Sequence, residues 1–116
     1  MTAFTQAERS FLSTRTTAHI ATASPAGLPD VATVTFELDG ESLVVQGADL
    51  VNTARFRNVL TNPCATVIVD DHEITHDSDS RGVKAYGVAT IEQRPHGVII
   101  RLTPEAVMSW AINAER

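Results

Sequence analysis

Apolar and polar positions alternate with a period of two through most of this chain. Ala18-His19-Ile20-Ala21-Thr22-Ala23, Val31 to Leu38, Leu43-Val44-Val45-Gln46, Ala65-Thr66-Val67-Ile68-Val69 and Gly82 to about Glu92 all read as strands rich in β-branched residues. A sixth, Val98-Ile99-Ile100-Arg101-Leu102, follows the turn Pro95-His96-Gly97. Pro25-Ala26-Gly27 marks an earlier turn, and Asp39-Gly40 is a hairpin signal. Three segments break the alternation. Thr5-Gln6-Ala7-Glu8 is a capping-box pattern ahead of Phe11 and Leu12, which predicts a short helix ending near Ser13. Between two strands, Thr53 to Pro63 spaces Phe56, Val59 and Leu60 along one helix face. Thr103-Pro104-Glu105 offers a cap, a proline for the first helical position and an acid for the first turn, so a last helix carrying Val107, Trp110 and Ile112 is expected. Six strands joined mainly by tight turns, with three short peripheral helices, predict a mainly β fold. An antiparallel barrel suits that pattern better than a sandwich. The 116 residues make one domain, 1–116, whose one long irregular loop runs from Asp70 to Ser80.

Composition then removes whole classes of function. A net charge of −5 argues against a general nucleic-acid binder, which must neutralise phosphates over a broad basic surface. No apolar run approaches the roughly 18 residues that span a bilayer. The N-terminal stretch Met1 to Glu8 lacks the charged and apolar regions of a signal peptide, so a cytoplasmic protein is expected. The single cysteine, Cys64, cannot form an internal disulfide, and with no basic neighbour to lower its pKa it reads as a buried, inert thiol.

The richest chemistry lies at the start of the middle helix. A helix start presents unpaired N–H groups and the positive end of the helix dipole, both of which favour a phosphate or carboxylate. Thr53 can cap that start or donate its hydroxyl, while Arg55 and Arg57 add forked, charged donors. The bland alternative is a connecting helix with two solvated arginines. Elsewhere the chemistry is sparse. His72-Glu73-Ile74-Thr75-His76 matches a zinc-protease pattern, but that chemistry needs a helix, and a turn-rich run from Asp77 to Ser80 follows; a solvated loop and no metal site are expected. Asp70 and Asp71 alternate faces on a strand and read as a solubilising strand end. His19 reads as a structural imidazole. The serines lack a nucleophile-elbow setting, and there is no Gly-rich phosphate loop. So few acid/base groups suggest either a binding protein or an enzyme whose chemistry belongs to a cofactor.

Phe4, Glu8 and Leu12, Ala18-His19-Ile20-Ala21-Thr22, Gly27-Leu28-Pro29-Asp30-Val31, Gln46-Gly47, Thr53 to Val59, Asn62-Pro63, Val69-Asp70-Asp71, Arg81 to Ala89, and Pro104 with Ser109-Trp110 occur in this order over nearly the whole chain. Together they resemble the pyridoxamine 5′-phosphate oxidase-like split β-barrel family, most closely its branch that uses the deazaflavin coenzyme F420. The resemblance implies a six-stranded split barrel that pairs into a homodimer with two cofactor sites at the interface. It places the cofactor phosphate at Thr53, Ala54 and Arg55 with Asn58 nearby, and runs Thr33-Val34-Thr35 beside the ring. Gln46 and Gly47 would approach the ligand at the next strand end. Trp110 would cover the partner's site or pack in the dimer core. Departures are Ala54 where a second basic residue is common, His19 in place of an arginine and Thr33 in place of a proline. The expected activity is an oxidoreductase passing hydride from reduced F420 to an unsaturated small organic substrate, with Tyr86 or solvent as proton source. Arg57, Arg81 and Lys84 are candidates for an acidic cofactor tail. An FMN-dependent enzyme and a non-catalytic cofactor-binding or ligand-binding protein are the alternatives.

Overall fold

The computed structural model describes residues 3–71 and 80–112. Within them, α1 (Gln6–Ser13) precedes β1 (Thr17–Ala23), β2 (Pro29–Asp39) and β3 (Ser42–Gln46). A 3-10 turn at Leu50–Asn52 leads into α2 (Ala54–Thr61), and β4 (Cys64–Asp70), β5 (Gly82–Arg94) and β6 (Gly97–Trp110) complete the chain. All neighbouring strands are antiparallel, and they close into one barrel in the order β1-β2-β3-β6-β5-β4. This is the expected six-stranded split barrel with short peripheral helices.

The alternation read in the sequence fills the barrel. Ile20, Val45, Val67, Val69, Ala85, Ile100 and Leu102 point inward and are at most 0% exposed, and burying each large one contributes roughly 1.5–3 kcal/mol. Two seams hold the halves of the barrel together. His19–Ala21 of β1 pairs with Thr66–Ile68 of β4, and Leu43–Val45 of β3 pairs with Ile100–Leu102 of β6, three residue pairs each. The capping box forms as expected: the Glu8 backbone N–H donates to Thr5 Oγ1 at 3.1 Å, and the Thr5 N–H donates to Glu8 Oε1 at 2.9 Å. Ser109 Oγ donates to the other Glu8 oxygen at 2.6 Å, so the cap also ties α1 to the end of β6.

Three expectations fail, each for a physical reason. The last helix does not form: β6 runs on to Trp110, paired with β5 along its length. A thirteen-residue partner strand outweighs the local Thr-Pro-Glu signal. Pro104, which has no N–H, sits beside a bulge where Tyr86 faces Ala106 and Gly87 faces Pro104, leaving Glu105 unopposed. Gly87 is required there, because a Cβ would lie 2.1 Å from the Thr103 carbonyl oxygen. Cys64 is exposed, not buried. Ala65, Val67 and Val69 take the inward phase of β4, which turns Cys64 outward. His72-Glu73-Ile74-Thr75-His76 lies outside the described residues.

The third correction is Asp71, which is no solubilising strand end. It is 6% exposed and bridges two arginines, Arg15 Nη1 at 3.1 Å and Arg81 Nη2 at 2.9 Å. Both guanidinium groups also lie over the Phe11 ring, 5.2 and 5.1 Å from its centroid. The carboxylate thus joins the end of α1 to the start of β5. Removing it strands two cations against Phe11. Asp71→Asn is therefore expected to cost roughly 2–3 kcal/mol, below the full buried-pair penalty because the arginines are partly exposed, whereas Asp70→Asn should stay within about 0.5 kcal/mol. Urea midpoints of the two variants compare them directly.

Candidate functional site

A groove opens where β3 leaves the barrel. After Val45 pairs with Ile100, the β3–β6 ladder ends, and Gln46, Gly47 and Ala48 diverge from Gly97, Val98 and Ile99 at the start of β6. Asp49 then takes a left-handed conformation, φ 58°, which turns the chain into α2. Two adjoining cavities share Thr35, Gln46, Gly47 and Ala48 as a common floor. One, about 350 Å³, continues past Thr33 and Val34 to Arg55. The other, about 390 Å³, continues to Arg94 and His96 on the β5–β6 hairpin. Among the described residues, no carboxylate lines either half.

At the Arg55 end the helix start is held firmly. Thr53 Oγ1 accepts the Phe56 backbone N–H at 3.2 Å and donates its own proton to the Leu50 carbonyl at 2.6 Å. Its hydroxyl is therefore spent on the cap, and the backbone N–H groups of Ala54 and Arg55 have no acceptor among the described residues. Arg55 adds a third: its Nε is buried and has no hydrogen-bond partner among the described residues. Such a group costs free energy unless something outside the chain satisfies it. Gly47 makes room for it, since a Cβ there would lie 3.3 Å from an Arg55 terminal nitrogen. The side chains of Thr33, Thr35 and Gln46 supply further polar atoms along the floor.

Of the sequence-derived residues, the structure brings Thr33, Val34, Thr35, Gln46, Gly47 and Arg55 around one groove. Thr53 and Ala54 form the helix start beside it. Asn58 does not line the groove; its Nδ2 donates to the buried Thr22 Oγ1 at 3.0 Å, which fastens α2 to β1. Trp110 is remote from the groove of its own chain, its ring lying over Gly82, where a Cβ would meet it at 2.0 Å. Tyr86 is also elsewhere, on the outer face of β5 beside Cys64 and Glu105. None of the cations expected for an acidic tail lines the groove. Arg57 donates to the Asn52 carbonyl, Arg81 is paired with Asp71, and Lys84 lies over the Tyr86 ring. Arg94 and His96 line the groove instead, and the sequence reading missed them. Their signal was the hairpin turn itself, which projects its tip past the point where β3 ends.

The Arg94 side is organised by Glu92. Its carboxylate accepts from Arg94 Nε at 2.8 Å and from Arg101 Nε at 2.8 Å, and Arg101 reaches on to Asp39 at 3.0 Å. Hydrogen bonds from Arg101 and then Arg94 hold the Glu92 carboxyl down at about 2. The folded-state pKa is thus below the unfolded one, so the network's contribution is complete above the ordinary carboxylate range and is lost as pH falls toward 2.

Comparison with known proteins bears on this geometry. The family model described as pyridoxamine 5′-phosphate oxidase matches residues 4–110. A 5a,11a-dehydrotetracycline/5a,11a-dehydrooxytetracycline reductase of Streptomyces rimosus is 30% identical over 122 residues, which cover 97% of this chain and 86% of that protein. A solved F420 reductase superimposes with a TM-score of 0.70 at 24% identity, over 86% of this chain and 94% of that one. A FAD binding protein of Mycobacterium smegmatis gives 0.70 at 15% identity, over 94% and 96%. At those identities the two structures are likenesses of fold.

Glu92→Gln provides the acid test of the hairpin network. Wild-type stability is expected to fall toward that of the variant between about pH 4.5 and 2, and to exceed it throughout the neutral range, as followed by thermal unfolding at each pH.

Proposed function

The chain belongs to the pyridoxamine 5′-phosphate oxidase family of split barrels, and we propose that it is an oxidoreductase whose groove binds a phosphate-bearing deazaflavin, coenzyme F420. The observation that carries the reading is Arg55: a buried Nε and two helix N–H groups without partners among the described residues are donors suited to a phosphate. The groove floor fits the rest of such a ligand. Val34 is inward-packed strand, Thr33 and Thr35 flank it with hydroxyls, and Gly47 lets the ligand approach the backbone closely. When bound, the cofactor supplies hydride to an unsaturated acceptor, the kind of chemistry named for the Streptomyces rimosus reductase. This chain's residues then bind the phosphate, orient the ring along Thr33–Thr35 and Gln46, and exclude water. Tyr86 stands away from the groove of its own chain, on the face assigned below to a second copy, so solvent and a Tyr86 phenol brought by that copy remain the two proton sources. Ala54 leaves Arg55 as the cation that lines the groove at the helix start, so the phosphate rests on its guanidinium and on the two backbone N–H groups. An FMN-dependent enzyme is the second reading, since the Arg55 cradle serves either phosphate.

The working unit is a homodimer. Two rows of directly opposed residues cross five strands on the outer face: Val31, Ala21, Thr66, Tyr86 and Ala106, then Thr33, His19, Ile68, Lys84 and Met108. Val31 is 66% and Met108 54% exposed, and small or apolar side chains dominate both rows. A second copy is the occupant that suits such a face, because a barrel this small gains stability from burying more apolar surface. Thr33 belongs to both this face and the groove, which sets the ligand at the edge of the contact.

Arg55→Glu is expected to abolish cofactor binding with the fold intact, whereas loss of the charge-assisted bond alone is worth roughly 1.5–3 kcal/mol, ten- to a hundredfold in affinity. Fluorescence titration with F420 and with FMN measures this; unchanged affinity for both removes the phosphate assignment. Ile68→Glu, in the middle of the outer face, is expected to convert a dimer to a folded monomer in sedimentation experiments.

A further inference from the structure

Arg55 by itself would serve any phosphate, and the charge around it selects among them. In the half of the groove that holds Arg55, the other lining residues among those described are all neutral: three threonines, Val34, Gln46, Gly47 and Ala48. Ala54, the first residue of α2, adds a backbone N–H and no charge. Arg57 lies outside the groove, where its Nη1 donates to the Asn52 carbonyl at 3.4 Å. Asp49 follows Ala48 directly and accepts from Asn52 Nδ2 at 2.6 Å, so the turn between the groove floor and the helix brings a carboxylate of its own. From Ala48 to Asn58 one aspartate thus stands against two arginines, and the segment carries a single net positive charge. The donors there without an acceptor among the described residues are correspondingly few: Arg55 Nε and the backbone N–H groups of Ala54 and Arg55.

We propose that this end of the groove takes a phosphodiester, with one negative charge, in preference to a phosphomonoester, and that Ala54 is the residue that sets the choice. Given the reading of Arg55 as the phosphate site, on which this rests, the preference separates the two candidate cofactors, since F420 carries its phosphate as a diester and FMN as a monoester. A diester presents two free oxygens and one charge, which one guanidinium and two backbone N–H groups satisfy. A monoester near neutral pH presents three oxygens and about −1.5 to −2 charge, its second pKa being about 6. Its excess charge enters an otherwise neutral groove with no second cation to meet it, and a charge brought out of water without a partner is costly.

Fluorescence titrations of the full chain compare six ligands that carry no acidic tail: the deazaflavin core of F420 and riboflavin, each free, as the 5′-phosphate and as the monomethyl ester of that phosphate. Phosphate and ester share a ring, so ring ionisation cancels in the ratio of their affinities. In wild type the ester is expected to bind roughly ten- to a hundredfold tighter at pH 8, where only about 1% of the monoester is singly charged, and the ratio to fall toward one at pH 5 as the monoester takes up a proton. This arm needs no variant. In Ala54→Lys, the added cation is expected to raise monoester affinity at pH 8 about tenfold and to leave the ester within about threefold. Ala54→Arg repeats the test, and urea midpoints record that both variants fold. In whichever ring series binds, a ratio at or below one at pH 8 overturns the selectivity, as does a ratio that either the pH change or a folded Ala54→Lys leaves unmoved. Arg55→Glu separates that failure from failure of the phosphate reading. Where it abolishes binding of phosphate and ester alike, the phosphate site stands and the ratio decides the selectivity alone. Indifference to Arg55→Glu, free cores that bind as tightly as their esters, or no binding of any of the six ligands overturns both.

Discussion

Two seams of three residue pairs each keep this barrel closed, and the position of the groove follows from how short they are. The β1-β2-β3 and β4-β5-β6 halves meet only through His19–Ala21 with Thr66–Ile68 and through Leu43–Val45 with Ile100–Leu102. A longer β3–β6 ladder would zip Gln46 and Gly47 onto Ile99 and Val98 and leave no room for a ligand. Stopping at Val45 costs backbone hydrogen bonds, which the interior offsets: Val45 and Ile100, the last pair before the split, are both fully buried. The opening is therefore part of the closure itself, framed by two strands that the core has already fixed.

Two ionic clusters mark opposite ends of the β5–β6 hairpin, and their contrast separates structural from ligand-directed charge. At Asp71 a buried carboxylate is shared by two arginines that also stack on Phe11, so both cations are spent on holding α1 to β5. At Glu92 the carboxylate is open to solvent and grips each arginine chiefly through Nε. Arg101 goes on to Asp39 and Ser42, whereas Arg94 goes on to no further acceptor among the described residues. Position along the hairpin decides the outcome, since the Asp71 end abuts the helix and the Glu92 end abuts the groove.

The strands were legible because period-two alternation and turn residues agree along most of the chain, and the first two helices because Thr5 and Thr53 are real caps. The third helix was misread, since a local Thr-Pro-Glu signal says nothing of the long strand waiting beside it. Cys64 and Asp71 were misplaced for a related reason. A run of apolar or acidic residues shows composition, but only the register of the partner strand shows which phase faces inward, and only the fold brings Arg15 and Arg81 to one carboxylate. In the groove, the residues next to a helix start or a strand end could be found from sequence. Arg94 and His96 could be placed at a hairpin turn but not at the groove, because the split that brings that tip to Gln46 is a tertiary event.

The chemistry that the groove can perform follows from what lines it. Hydroxyls, a carboxamide, two arginines and one histidine bind and orient well, yet among the described residues no carboxylate lines the groove to act as a base, and the phenol of Tyr86 is on another face. None of these side chains can carry a hydride, so redox chemistry in the groove needs a bound group. The groove offers donors for an anionic group beside the start of α2 and a flat strand along which the rest of a ligand can lie. That division of labour, in which the chain fixes geometry and a bound group supplies reactivity, needs only rigid donors at the right places. The capped start of α2 and the Glu92-braced hairpin provide those donors.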